Sequence, residues 1–155
     1  MSGNPLYLAI DQGTHASRAI VLDARGTVVS TGSKDIGLVR PQVDWAEQDG
    51  EEVVSSIYAA VSQALEPLGD HRRDVVAAGL ACQRSSCACW DANGGRPLSP
   101  VFSWQDRRAH AWLRQFEPQA EEVHRKSGLF LSAHYGASKL HWALENLPEV
   151  GRAMA

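Results

Sequence analysis

The stretch Asp11-Gln12-Gly13-Thr14 places a carboxylate, an amide, a glycine and a hydroxyl in four consecutive positions. It lies between two apolar runs, Leu6 to Ile10 and Ala19 to Leu22. Strand, tight glycine turn and strand make a hairpin. Gly13 carries no Cβ, so a bulky anion can approach the backbone. The backbone N–H groups of such a turn form an anion nest, and the Thr14 hydroxyl adds a donor. Asp11 has the wrong sign to touch a phosphate. It fits if Mg²⁺ stands between them, with a shell made mostly of water. Arg18 could neutralise charge on the far side. The same residues also suit an ordinary hairpin turn, where Asp, Gly and Thr are common.

Two further polar clusters each follow an apolar segment. Gln83-Arg84-Ser85-Ser86 comes directly after the run Val75 to Cys82. In open α/β sheets, ligands bind just beyond the carboxyl ends of strands. Gln83 and Arg84 offer several donors there, which suits a polyhydroxylated ligand; a solvated loop is the alternative. Trp104-Gln105-Asp106-Arg107-Arg108 pairs an indole with polar neighbours, as a sugar platform does. A helix start with Asp106 as cap and Trp104 in the core reads equally well. Among the six histidines, His15 and His134 fall near these residues. Cys82, Cys87 and Cys89 match no common zinc spacing, and Cys87 and Cys89 read as small buried residues sharing one strand face.

The elements that must position these groups follow from periodicity. Thr27 to Thr31 reads as a third antiparallel strand, and Gly37 to Asp44 as a loop interrupted by Pro41. A helix is expected from about Asp49 to Leu65, with a capping-box start at Asp49 and Glu52. Its apolar stripe is Val53, Val54, Ile57, Tyr58, Val61, Ala64, Leu65 and Leu68, and Gly69-Asp70 ends it. Val75 to Cys82 is nearly continuous in apolar residues, the mark of a fully buried strand entering in parallel. Ser86 to Asp91 reads as a strand, with a hairpin turn over Ala92 to Gly95. Three helices complete the chain. The first carries Ala109, Trp112, Leu113 and Phe116; Pro118 opens the second, which ends near Gly128; the last carries Leu140, Ala143, Leu144 and Leu147 and stops at Pro148. The order β-β-β-α-β-β-α-α-α indicates α/β with a mixed sheet.

The bulk properties narrow the function classes. With 155 residues, 44% hydrophobic and 21% charged, the composition is that of a single soluble domain. A formal net charge of −3 offers no basic excess for nucleic acid or anionic lipid. No apolar run approaches the roughly 18 residues of a membrane span. The N-terminus lacks the features of a signal peptide, and three cysteines suggest reduced thiols. A cytoplasmic location is expected.

Several segments taken together resemble one family. Asp11 to Arg18 (DQGTHASR), Trp45 to Asp49 (WAEQD), Gln83-Arg84, Pro97-Leu98, Trp104 to Arg108 (WQDRR), Ser127-Gly128-Leu129, and Ser138-Lys139 with Trp142 lie in the order and spacing of the N-terminal domain of FGGY carbohydrate kinases. Glycerol kinase is the branch most similar. The resemblance runs from Tyr7 to about Gly151. It implies an RNase H-like, actin-like ATPase fold with a mixed sheet flanked by helices, and two domains with ATP and Mg²⁺ between them. The implied reaction moves the γ-phosphoryl group of ATP to a sugar or polyol hydroxyl. Asp11 then matches the metal- and phosphate-side aspartate. Gln12, Gly13, Thr14, His15 and Arg18 fall in the phosphate loop. Gln83, Arg84, Ser85, Trp104, Asp106, His134 and Tyr135 fall at or beside the positions that hold the polyol.

The departures from the family pattern carry information. Ser85 stands where glycerol kinases carry Glu, and His134 where they carry Tyr, with Tyr135 next to it. A lost acceptor would leave a substrate hydroxyl unpaired at a cost of about 1–3 kcal/mol, so a polyol or sugar other than glycerol is expected. His15 and Ala16 replace hydroxyl residues in the phosphate loop, removing two donors. The resemblance also implies a second, C-terminal domain carrying the general base and adenosine pocket, which this sequence does not include. The chain spanning 1–155 is therefore expected to be inactive alone, with an exposed domain face that favours a homodimer. A stand-alone sugar- or phosphate-binding module is the alternative. A non-sugar ATPase of the same fold is disfavoured by the Gln83-Arg84 and Trp104 to Arg108 clusters.

Overall fold

The computed structural model describes residues 4–154. They form two compact units. The first runs up to Leu38 and resumes over Glu51–Gln83; the second comprises Val39–Gly50 and the chain from Arg84 onward.

The first unit is built on a four-stranded sheet in the order β3-β2-β1-β5. The strands are β1 (Leu6–Gln12), β2 (Ala16–Asp23), β3 (Val28–Asp35) and β5 (Val75–Cys82). β1 pairs antiparallel with β2, β2 antiparallel with β3, and β1 parallel with β5. The expected mixed sheet is thus present, and the hairpin strands run further than the apolar residues alone mark. Asp11 and Gln12 lie within β1, so the turn proper is Gly13 to His15. Period-2 alternation selects the core face: Leu6 and Leu8 are buried, while Tyr7 points out. With Ala19 and Val21 they pack against Ala60, Ala64 and Leu68.

Helix α1 (Gly50–Leu65) follows the expected boundaries, and Val61, Ala64, Leu65 and Leu68 of the expected stripe meet the core, but the buried face is narrower and shifted. Its buried residues are Ser56, Ala60 and Ala64, whereas Val54 and Tyr58 are exposed. The cause is close approach. Gly32 of β3 sits so near the helix that a Cβ there would lie 2.1 Å from the Ala60 carbonyl oxygen. Only small residues fit that seam, and Ser56 adds a buried hydroxyl contact of 2.8 Å to Ser17. α1 passes into a 3-10 segment, Glu66–Asp74, kinked where Gly69 takes a φ of 52°. α1 itself ends at Leu65, and the non-helical break at Gly69 falls where the sequence marks the end of the helix.

β5 departs more sharply. The apolar run is a strand and is parallel to β1, yet nearly all of it is exposed, with Val76 and Leu80 each more than half so. It is the edge strand of the described sheet. α1 covers the other strands, and a Cβ at Gly79 would meet nothing within 4 Å.

The second unit contains β4 (Glu47–Gln48) and β6 (Val101–Phe102), an antiparallel pair, and helices α2 (His110–Leu113), α3 (Ala120–Ser127), α4 (Gly136–Asn146) and α5 (Pro148–Met154). The expected strand Ser86 to Asp91 is absent; only isolated bridges join Cys87 to Phe102 and Trp90 to Pro97. The turn over Ala92 to Gly95 is present, closed by the Gly95 amide on the Asp91 carbonyl at 2.7 Å. Pro118 lies in a 3-10 segment ahead of α3, not in its first turn. Gly128 caps α3 as expected, with a φ of 74°. Pro148 both stops α4 and opens a further helix, α5. The α4 stripe is also rotated: Ser138, Lys139 and Ala143 are buried, while Leu140 and Leu144 are exposed. Ala143 packs with Phe102 and Val150.

Candidate functional site

In the first unit, the paired parallel strands β1 and β5 finish side by side, with Gln12 opposite Cys82. The phosphate-loop candidates therefore gather at the carboxyl ends of these strands. Gly13 closes the turn through its amide on the Ala16 carbonyl at 3.0 Å. Gln12 is buried and acts as scaffold. Its side-chain amide donates to the Gly13 carbonyl at 2.7 Å, and its carbonyl takes the Gln83 amide at 3.1 Å. The two glutamine side chains also meet at 3.3 Å. Gln83 is thereby placed with the phosphate loop. The His15 carbonyl takes the Ile36 amide at 2.9 Å, which anchors the loop to the end of β3.

Asp11 and Arg18 are direct cross-strand partners. Their charged groups stand 3.8 Å apart, and both side chains are more than half exposed. Arg18 thus faces Asp11 itself rather than the far side of the loop. A pair this exposed contributes about 0–1 kcal/mol, so little holds the carboxylate back from a cation. Among the described residues, no group of three metal-ligating side chains occurs. One exposed carboxylate at the end of β1 beside the glycine turn fits Mg²⁺, which takes one or two carboxylates and otherwise keeps water and phosphate oxygens.

In the second unit, Trp104 is partly exposed and its backbone amide donates to the Ser86 hydroxyl at 2.9 Å. Its ring meets the His134 ring edge-on at 5.9 Å, and His134 in turn meets Tyr135 at 5.1 Å. Trp104, His134, Gln105, Arg40, Asp44 and Arg107 border an open depression of about 520 Å³. Arg40 is held there by a hydrogen bond to the Gln105 side chain. Arg84 is exposed. Ser85 takes a φ of 65°, the left-handed region, and among the described residues it is the only non-glycine to do so.

Asp106 is placed differently from the expectation that it holds substrate. It is fully buried and its carboxylate is engaged by the protein. It accepts the Ala46 amide at 2.8 Å and the Arg108 guanidinium at 2.8–3.0 Å. Arg108, whose side chain is screened from solvent, also reaches Glu47 at 2.6 Å. Its guanidinium lies 4.0–4.6 Å from the ring centres of Trp45, Phe102 and Trp142. This cluster fixes the loop that carries Trp104.

Lys139 has no role in the sequence reading beyond its place in a motif. It is fully buried, and its ammonium donates to the backbone carbonyls of Ser85 at 3.1 Å and His134 at 2.5 Å. Burial lowers its pKa, against an opposing pull from Cys87 and Asp106. Burial likewise raises the Cys87 thiol, with Lys139 drawing it back. A lysine inside an otherwise apolar helical face was the available signal. Cys87 and Cys89, expected to be buried, are half-buried, and Cys82 at the end of β5 is exposed.

Comparison with known proteins gives a consistent result. Residues 6–155 match the FGGY family of carbohydrate kinases, N-terminal domain. The glycerol kinase of Acinetobacter baylyi is 38% identical over 142 residues, covering 90% of this chain and 29% of that protein. The glycerol kinase of Koribacter versatilis is 35% identical over 147 residues, covering 94% of this chain and 30% of that protein. Among solved structures, xylulose kinase from Rhodospirillum rubrum superimposes with a TM-score of 0.88 at 21% identity, over 96% of this chain and 30% of that one. Plasmodium falciparum glycerol kinase with ADP gives a TM-score of 0.86 at 22% identity, over 96% and 30%. The chain spans about three-tenths of the length of these relatives. No helix among the described residues is long and apolar enough to cross a membrane. The mixed sheet, the glycine turn at its carboxyl edge and the matched span together place this chain in the FGGY family of carbohydrate kinases, as the N-terminal domain.

Proposed function

We propose that this chain is the N-terminal part of an ATP-dependent kinase that phosphorylates a sugar or polyol hydroxyl, and that it does not turn over alone. The carrying observation is the Asp11-to-Arg18 hairpin turn at the shared carboxyl ends of β1 and β5. Phosphoryl transfer needs mainly positioning and charge stabilisation. The Gly13 turn and the Thr14 hydroxyl would hold phosphate oxygens, and Asp11 would orient Mg²⁺ through water. The ion, when bound, offsets charge that builds on the transferred group. Arg84, Trp104, His134 and Tyr135 would hold the acceptor. The general base and the adenosine pocket fall to the rest of a longer protein.

Ser85 and His134 in place of Glu and Tyr support an acceptor other than glycerol. Asp106 acts behind Trp104 and touches no substrate. The uncovered strand β5, with Val76 and Leu80 exposed, supports self-association of this chain.

A thermal-shift screen against polyols, pentoses and hexoses, each with and without Mg-ADP, tests the reading. A ligand at about a hundred times its dissociation constant adds about 2.7 kcal/mol if it binds only the folded state. The expected result is a shift with one acceptor class, reduced by Arg84→Ala, and no phosphorylated product from the chain alone. Measurable turnover by the purified chain refutes the claim of inactivity. A shift with phosphates but no acceptor favours a phosphate-binding module instead.

A further inference from the structure

Arg84-Ser85 and His134-Tyr135 sit on separate turns about fifty residues apart in sequence, and neither turn is held by regular secondary structure. Ser85 adopts the left-handed backbone that side-chain-bearing residues avoid, so something outside the turn must hold it. The structure shows a group that bonds Ser85 directly. The Lys139 ammonium, inside the second unit and fully screened from solvent, donates to the Ser85 carbonyl at 3.1 Å and to the His134 carbonyl at 2.5 Å. An ammonium can donate three bonds in different directions, so it can join the carbonyls of two separate turns directly. A single nitrogen reaching both fixes how far apart the two turns can stand. Lys139 is itself anchored on α4, whose first turn is tied back by the Ser138 hydroxyl to the Tyr135 carbonyl at 3.3 Å.

We propose that Lys139 is a positioning residue for the acceptor pocket: its buried ammonium clamps the Ser85 and His134 turns together and sets the spacing between Arg84 and the Trp104–His134 wall. This rests on the reading of that pocket as the acceptor site. Lys139 touches no substrate. It acts by holding Ser85 left-handed, which aims the preceding Arg84, and by holding the His134 carbonyl, which keeps the imidazole against Trp104. The same bonds explain why a costly buried charge persists within a helix face that would pack as well with Leu or Met.

The test uses the whole chain and begins with nuclear magnetic resonance. In the unaltered protein, a protected lysine ammonium resonance is expected, together with Ser85 carbon shifts typical of left-handed backbone. Absence of any protected lysine signal overturns the proposal. In Lys139→Met, which keeps an unbranched chain one atom shorter and loses the donors, the Ser85 carbon shifts should return to ordinary values and the His134 ring signals should move. The hairpin amides of Leu6 to Asp23 should stay in place. A variant that melts earlier while Ser85 and His134 keep their signals would show a merely structural role and overturn the clamp. Should Lys139→Met fail to fold, Lys139→Gln, with a shorter, neutral amide in place of the ammonium, is expected to show an intermediate shift of the same signals. For any acceptor that stabilises the unaltered chain, Lys139→Met should weaken binding by roughly tenfold or more through displaced contacts; unchanged affinity overturns the positioning role. If no acceptor binds the unaltered chain, the kinase reading fails for this chain, while the resonance measurements still decide the clamp.

Discussion

Replacing Asp106 by Ala should be among the most damaging single changes in the second unit. Asp106 is fully buried and Arg108 almost so, with side-chain exposures of 0% and 1%. Removing the carboxylate strands the Arg108 guanidinium among Trp45, Phe102 and Trp142, with only Glu47 left as a counter-charge at 2.6 Å. Breaking a buried pair by deleting one partner costs about 3–5 kcal/mol. The orphaned Ala46 amide, which now bonds the carboxylate at 2.8 Å, is part of that loss. Total stabilities are about 5–15 kcal/mol, so the variant loses a large share. At about 2–4 °C per kcal/mol for a chain of this size, the midpoint should fall by roughly 6–20 °C. Asp106→Ala, Arg108→Met and the double variant should be compared by urea denaturation. Met fills the aromatic niche without charge. The double variant should therefore be less destabilised than the sum of the singles, with a coupling of about 1–3 kcal/mol. A cost below about 1 kcal/mol for Asp106→Ala, or strict additivity, would refute the account of this cluster as one interdependent unit.

Two other outcomes follow from the first unit. Gly32→Ala puts a methyl group where only 2.1 Å separates it from the Ala60 carbonyl oxygen. Backbone must move, so the loss should be at least about 1–3 kcal/mol by denaturant unfolding, and a change within error would show that the helix–sheet seam yields easily. Leu80, exposed on the uncovered β5, should carry self-association; Leu80→Lys should lower the dimer fraction in sedimentation equilibrium, and a chain that stays monomeric at high concentration before any substitution removes that surface from consideration.

The sequence determined what is local. Alternation in β1, the glycine turn at Gly13, the αL cap at Gly128 and the break at Pro148 each follow from the conformations those residues allow, and they hold in the structure. The ordered motifs were likewise enough to place the family. Tertiary structure decided which faces are covered. Val54, Tyr58, Leu140 and Leu144 are as apolar as their neighbours, yet they are exposed because close approach at Gly32 and the packing of Phe102 against Ala143 select narrower faces. The run Val75–Cys82 reads identically whether or not something covers it, so its exposure depends on groups distant in sequence. The buried charges show the same limit. A linear reading of Asp106, Arg108 and Lys139 does not show that they are buried charges. Burial is sustainable only because carbonyls, amides and carboxylates from positions 46, 47, 85 and 134 converge on them. Such convergence is a property of folding, since no local pattern encodes which distant backbone group will neutralise a charge.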